Sequence, residues 1–318
     1  MRVLITGVTG FVGRYLADSL AKNADLLLYG VVRHPDKLTS SLRDQVTCFN
    51  GDLEEATFVK EVLHQVEPDV VYHLAGQAFV PAGWTHPWQT FQTNILPQLN
   101  LLKTLIDLNL RPRFLSVGSS KVYDPEPDDG MPITEDSPMA PDSPYGVSKA
   151  TLDLMAQQYY LSHKLPIIRV RPFNHIGPGQ SDNFVTASFA KQIVLVEVGR
   201  SEPIIRVGNL SVARDFTDVR DVVSAYIGLI DRGRPGQAYN VASGQAVSIQ
   251  SILDTLLQLS SVDISIVPDP DRMRPADQPI SFGAIDKIRR EIGWQPQISL
   301  EQSLQEILDY WRRQIQTT

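Results

Sequence analysis

The chain has 318 residues, 42% hydrophobic and 20% charged, with a net charge of −7 at neutral pH. That length suits one large domain or two modest ones. The acidic balance argues against a nucleic-acid footprint or a membrane-surface patch. Cys48 is the single cysteine, which excludes an intramolecular disulfide framework and fits a reducing compartment. Residues 1–5 run straight into a strand pattern, leaving no room for a signal peptide. No apolar stretch approaches the ~20 residues a membrane span needs, so a cytoplasmic protein is expected.

In chain order, residues 3–6 form a short apolar run that ends on Gly7. Gly7-Val8-Thr9-Gly10-Phe11-Val12-Gly13 follows, and a helical pattern covers 14–20. Strand, glycine-rich turn and helix are the context of a dinucleotide site. The glycines permit a tight turn and close backbone approach, and the helix N-terminus faces a pyrophosphate. The spacing here is GxxGxxG. Residues 25–32 read as a second strand with Arg33 at its exit. An acid there would suit a ribose 2′-hydroxyl and an arginine suits a 2′-phosphate, which leans the reading toward NADP(H), with NAD(H) as the alternative. Residues 46–49 are a third strand leading to Gly51-Asp52-Leu53. Asp52 either accepts from an adenine amino group or caps the helix that begins near Glu54.

Residues 69–74 are a nearly continuous apolar run, as in a buried parallel strand, ending in Ala75-Gly76-Gln77. Residues 90–110 are helical in pattern, with Asn94 near the start and Pro97 expected to kink the helix or mark its beginning. A fifth strand, 114–117, opens into Gly118-Ser119-Ser120-Lys121-Val122-Tyr123. Residues 124–144 are a proline-rich loop, and a loop of that length in a compact domain is usually functional. It leads to Tyr145, four residues before Lys149, at the head of an apolar-periodic segment, 150–161. On a helix these two share a face, and an adjacent ammonium is expected to lower the tyrosine's pKa. A sixth strand, 166–170, runs into Arg171-Pro172-Phe173-Asn174. Residues 204–207 and 213–216 are expected to pair as short strands around Gly208-Asn209. Helical patterns follow at 187–198, 221–230 and 248–259, with a last sheet strand at 238–241. Ser299-Leu300-Glu301-Gln302 is a capping-box signature opening a final helix.

Alternating strands and helices predict an α/β fold: a Rossmann-type doubly wound parallel sheet with a smaller, mixed α/β C-terminal substrate domain. The expected boundaries are 1–171 with about 217–245 for the dinucleotide domain, and 172–216 with 246–318 for the other. The strand exits at Gly7, Arg33, Asp52, Ala75, Ser119 and Asn174 would then share one rim, where ligands sit in such sheets.

These residues resemble the extended short-chain dehydrogenases/reductases that act on nucleotide sugars. The resemblance covers nearly the whole chain. It is carried by Thr6-Gly7-x-x-Gly10-x-x-Gly13, Gly51-Asp52-Leu53, His73-Leu74-Ala75-Gly76, Ser119-Ser120 before Tyr123, and Tyr145-x-x-x-Lys149. A second layer runs from His73 to Val80, from Arg171 to Gln180 and from Val207 to Asp221, and is most similar to GDP-6-deoxy-4-keto-D-mannose reductases.

The resemblance implies a catalytic Ser119, with Ser120 as the near alternative, Tyr145 as acid/base, and Lys149 on the nicotinamide ribose. It implies a cofactor set of Gly7, Gly10, Phe11, Val12, Gly13, Arg33, Asp52, Leu53, Leu74, Ala75, Gly76, Tyr145 and Lys149. Ser119, Ser120, Lys121, Asn174, Arg214 and Arg274 would hold a GDP-linked hexose, and no metal is implied. A homodimer through a four-helix bundle is implied as well. The implied reaction is reduction of a 4-keto-6-deoxyhexose. A 4-epimerase, a GDP-mannose dehydratase and a non-catalytic dinucleotide sensor are the alternatives. Two departures stand out. Gly76 replaces a common alanine, and Lys121 stands where the dehydratases carry the Glu that removes the C5 proton. Glu135 or Asp124 from the long loop is the other possible base.

Overall fold

The computed structural model describes residues 1–124, 130–273 and 278–316. The first half alternates strand and helix: β1 (Arg2–Thr6), α1 (Phe11–Leu20), β2 (Leu27–Val32), α2 (Ser40–Gln45), β3 (Thr47–Asn50), α3 (Ala56–Val66), β4 (Val70–His73), α4 (Val80–Thr85), α5 (Pro87–Asp107), β5 (Arg113–Val117), α6 (Pro144–His163) and β6 (Ile167–Pro172). The second half is more irregular. It runs β7 (Asn174–Ile176), α7 (Val185–Glu197), β8 (Ile204–Val207), β9 (Ala213–Arg214), β10 (Phe216–Asp218), α8 (Val219–Arg232), β11 (Ala238–Val241), β12 (Val247–Ser248), α9 (Ile249–Gln258), β13 (Ser265–Pro268), β14 (Ile280–Ser281), α10 (Asp286–Ile292) and α11 (Leu300–Gln316).

Seven strands form one parallel sheet in the order β11-β6-β5-β4-β1-β2-β3. Its strands are apolar because both faces are covered. Val3 and Ile5 face Leu16, Tyr226 and Trp294 on one side. Leu4 faces Val62, Leu63, Leu102 and Phe114 on the other. The alternation has the period of two that a strand imposes. The chain reverses direction across the sheet between β1 and β4, and the crevice beyond their carboxyl ends is the expected ligand position. A separate cluster joins α7, α9 and α11 around Phe189, Ile193, Ile252, Leu256, Leu304 and Leu308.

Two expectations need correction. The segments 204–207 and 213–216 do not pair with each other. β8 pairs with β13 in parallel, whereas β9 lies between β12 and β14. A two-residue strand has too little periodicity to declare its partner. Of the two roles expected for Pro97, the helix start is the one overturned. The residue lies buried inside α5, which starts earlier, with Pro87 in the first turn, where a missing N–H costs nothing.

The described part of the long loop is pinned rather than free. The Ile133 amide donates to Phe282 O at 2.9 Å and Ile133 O accepts from Ala284 N at 2.8 Å. Glu135 Oε1 accepts from the Asn240 amide on β11 at 2.9 Å, and Asn240 Nδ2 donates to Ile133 O at 2.8 Å. Beneath lies a buried charge network. Arg171 Nε and Nη2 donate to Asp153 at 2.8 and 3.0 Å, and Arg169 Nη1 donates to the same carboxylate at 2.6 Å. Arg171 Nη1 also reaches the Tyr123 hydroxyl at 2.9 Å, which donates to Asn240 Oδ1 at 2.7 Å. Burial pushes the Asp153 carboxyl up, but the bonds and charges of Arg171 and Arg169 outweigh it and hold it below the usual range. Asp153→Ala would leave two cations buried together. It is expected to cost about 3–5 kcal/mol in urea unfolding. A loss below about 1 kcal/mol would show the network to be dispensable.

Candidate active site

The glycine turn is a backbone cradle. A Cβ on Gly13 would lie 2.2 Å from Gly7 O, and one on Gly7, whose φ is +72°, would lie 2.8 Å from Ala75 N. Neither position admits a side chain. The α1 N-terminus that follows has Gly10 as its cap, with no side-chain cap and no acid in its first turn. Its amides and positive dipole end suit a pyrophosphate. Phe11, next in line, stacks on His175 with ring centroids 6.1 Å apart and planes 8° from parallel. Val12 and Leu74 are half-buried at this edge and Leu53 is buried.

The wall formed by residues 75–77 is fixed from below. Thr6 Oγ1 accepts from the Ala75 amide at 3.2 Å and lies 2.8 Å from His73 Nδ1. Burial, followed by the charge of Lys149, pushes His73 down to about 3, so the ring is neutral. Asn94, fully buried on α5, accepts from the Gln77 amide at 2.7 Å and donates to Ser148 Oγ at 2.8 Å. Ser148 Oγ donates in turn to Tyr145 O at 2.7 Å. One chain of hydrogen bonds thus ties the wall to the head of α6. Sequence reasoning noted Asn94 only by position. An amide inside an otherwise apolar helix was the available signal.

The α6 helix opens with Ser143 as N-cap, its Oγ accepting from Gly146 N at 3.1 Å, and with Pro144 in the first turn. A Cβ on Gly146 would lie 2.5 Å from Lys121 O, so only glycine lets the helix meet the 119–122 turn this closely. That approach brings Tyr145 against Ser119. Ser119 Oγ accepts from Lys121 N at 3.2 Å, which leaves its proton to donate. Burial pushes the Tyr145 phenol up, with the Ser119 hydroxyl pulling it partly back.

This reverses the expected direction. Tyr145 and Lys149 share a helix face, but the Lys149 ammonium donates to Val117 O at 3.0 Å instead of lying against the phenol. Burial outweighs any help from it. Lys149 is itself buried and lowered to about 8, and it lies beneath the Gly76 turn, 3.7 Å from where a Cβ there would be.

The remaining candidates fall into two groups. Arg33 Nη1 lies 3.6 Å from Asp52 Oδ2 and 3.9 Å from Glu54 Oε1. Asp52 Oδ1 also accepts from Glu54 N at 3.0 Å, a turn contact ahead of the helix; the helix cap read for Asp52 is corrected, because α3 starts at Ala56 with Glu55 as its N-cap. Across the cleft, Asn174 Nδ2 donates to Asp215 O at 3.1 Å, next to Arg214. The buried Asp215 carboxylate accepts from Ser243 N and Oγ, Gly244 N and Gly283 N, which locks three chain segments there. Ser120 and Lys121 are half-buried on the turn below Tyr145. Arg274 lies outside the described residues.

A family profile described as GDP-mannose 4,6 dehydratase matches residues 4–307. The chain belongs to that family. Its similarity to individual members is uneven. It is 36% identical over 99% of its length to GDP-6-deoxy-D-mannose reductase of Pseudomonas aeruginosa, covering 98% of that protein. The structure of RMD from Pseudomonas aeruginosa complexed with NADPH superposes with a TM-score of 0.86 at 35% identity, covering 98% of this chain and 99% of the other. UDP-glucose 4-epimerase of Thermotoga maritima superposes with a TM-score of 0.88 over 99% of this chain and all of its own, but at 23% identity it shares the fold alone. Family membership by itself does not choose among reduction, dehydration and epimerisation.

Proposed function

We propose that the protein reduces the C4 keto group of GDP-4-keto-6-deoxy-D-mannose to give GDP-D-rhamnose. The observation that carries the reading is the buried, hydrogen-bonded Ser119–Tyr145 pair. Two hydroxyls there converge on one point, as protonation of a nascent alkoxide requires. The 36% identity to a GDP-6-deoxy-D-mannose reductase supports the choice of sugar. NADP(H), with NAD(H) as the alternative, supplies the hydride when bound. Gly7, Gly10, Gly13 and the α1 N-terminus would hold its pyrophosphate, and Lys149 would hold the nicotinamide ribose. Ser119 hydrogen-bonds the ketone oxygen, and Tyr145, kept protonated at neutral pH by burial, delivers its proton to O4. Asn174, Arg214 and Arg274 grip the sugar diphosphate from the unit formed by 172–216 and 246–318. Charge-assisted bonds of this kind are the strong ones.

The test is a stoichiometry. The ketosugar should consume one NADPH per molecule, whereas an epimerase would turn the sugar over without net oxidation, and a sensor would do neither.

The working unit is a homodimer in the cytoplasm. Val147, Leu154 and Leu161 recur every seven residues along α6 and are 39%, 53% and 57% exposed. A helix apolar beyond its core stripe usually has a further partner. Light scattering at micromolar concentration is expected to give twice the chain mass, and Leu154→Asp is expected to halve it. A monomeric wild type would contradict the assembly. Among the described residues no helix is long and apolar enough to cross a membrane.

A further inference from the structure

The exit of β2 presents an arginine to the part of the crevice where a 2′-phosphate sits, but the arginine is not alone there. Its guanidinium faces two carboxylates, Asp52 at 3.6 Å and Glu54 at 3.9 Å. Asp52 is a turn residue whose other oxygen is engaged by the backbone at Glu54. Glu54 is different, because its carboxylate is built in. Gln92 Nε2 donates to Oε2 at 2.8 Å and Thr93 Oγ1 donates to Oε1 at 3.2 Å, both from α5. Asn100, about two turns further along the same helix, donates to the Leu53 and Glu54 carbonyls at 2.9 Å. A surface carboxylate meeting an arginine by chance needs no such scaffold. Glu54 is held in place from a second element and aimed at Arg33.

We propose that Glu54 sets the cofactor preference: its fixed carboxylate competes with a 2′-phosphate for Arg33 and keeps NADH acceptable beside NADPH. The inference deepens the reading above and rests on it. One guanidinium against two carboxylates leaves this corner with one net negative charge. A phosphate carrying nearly two charges therefore gains from Arg33 but is repelled by Asp52 and Glu54. NADH lacks the 2′-phosphate, so it escapes that repulsion. Interactions of unit charges a few ångströms apart at a protein surface are large enough to move an affinity several-fold. They weaken with salt, because the pair is partly exposed.

Cofactor binding without sugar separates this inference from the reaction. Titrating NADPH and NADH by their fluorescence against the wild type, Glu54→Gln and Arg33→Ala gives six dissociation constants. Glu54→Gln is expected to tighten NADPH by about three- to tenfold at low salt. NADH should stay within about twofold, and the gain should shrink in 0.5 M salt, roughly where screening shortens to a few ångströms. Arg33→Ala should weaken NADPH while leaving NADH unchanged. If Glu54→Gln weakens both cofactors equally, Glu54 is only a structural tie between the 51–54 turn and α5. If it leaves the ratio unmoved, the phosphate does not register it. Either result overturns the inference and leaves the proposed reaction standing. Failure of the wild type to bind either cofactor would overturn both.

Discussion

Tyr145→Phe is expected to lower kcat for the ketosugar by about 10²–10⁴-fold, the usual contribution of a placed general acid. The change removes one oxygen and leaves the ring. Tyr145 is buried at the head of α6, its backbone carbonyl is held by Ser148, and its neighbour Gly146 packs on the Lys121 carbonyl. None of these contacts uses the phenol, so the fold and the cradle should survive. Cofactor affinity should stay within about twofold, because the loss falls on proton delivery in the transition state and not on ground-state binding. The Ser119 hydroxyl remains to polarise the ketone and should sustain a residual rate. Single-turnover NADPH oxidation separates the chemical step from product release. Turnover within a few-fold of wild type would remove Tyr145 from the mechanism.

The second large effect is an absence of reaction. Given GDP-mannose and NADP⁺, the protein is expected to return GDP-mannose. Loss of water across C5 and C6 requires a group that accepts the C5 proton once C4 is oxidised. A lysine ammonium offers three donors and no lone pair, and Lys121 stands at the position in question. Of the two loop carboxylates considered as substitutes, Asp124 and Glu135, the latter is committed elsewhere. Its Oε1 accepts from the Asn240 amide on β11 at 2.9 Å. It is half-buried, and burial raises its pKa. A base must lie within hydrogen-bond reach of the proton it takes. A product lighter by one water in the mass spectrum would show that some other group serves, and would move the protein among the dehydratases of its family. If only GDP-mannose returns, the ketone it reduces must come from a separate dehydration.

The main sheet was legible because its strands are near-continuous apolar runs and because glycine is the only residue that fits the first turn. The rim of strand exits followed from topology alone. The short strands were not legible. β9 draws its partners from β12 and β14, and β14 lies more than sixty residues further along, where two-residue segments leave no pattern. The sixth strand was read from its position alone, and nothing in it showed that Arg169 and Arg171 point into the protein and meet Asp153 on α6. Alternating charge in a strand normally marks a solvated face. Only the position of α6 reveals that this one is internal. The Tyr145–Lys149 spacing correctly gave a shared face. It did not reveal that Val117 O would claim the ammonium, because an acceptor on another strand leaves no trace at i and i+4. Glu54 escaped notice for the same reason: its scaffold lies on α5, about forty residues away.

The central claim is a hydride delivered to C4 of a nucleotide-linked ketosugar. Incubating the protein with GDP-4-keto-6-deoxymannose and NADPH carrying deuterium at the transferring C4 position of its nicotinamide tests it directly. The account predicts one deuterium at the sugar's C4, one NADPH oxidised per sugar, and a single configuration at that carbon. Deuterium that stays on the nicotinamide while the sugar is unchanged, or a sugar altered without net NADPH oxidation, would contradict it.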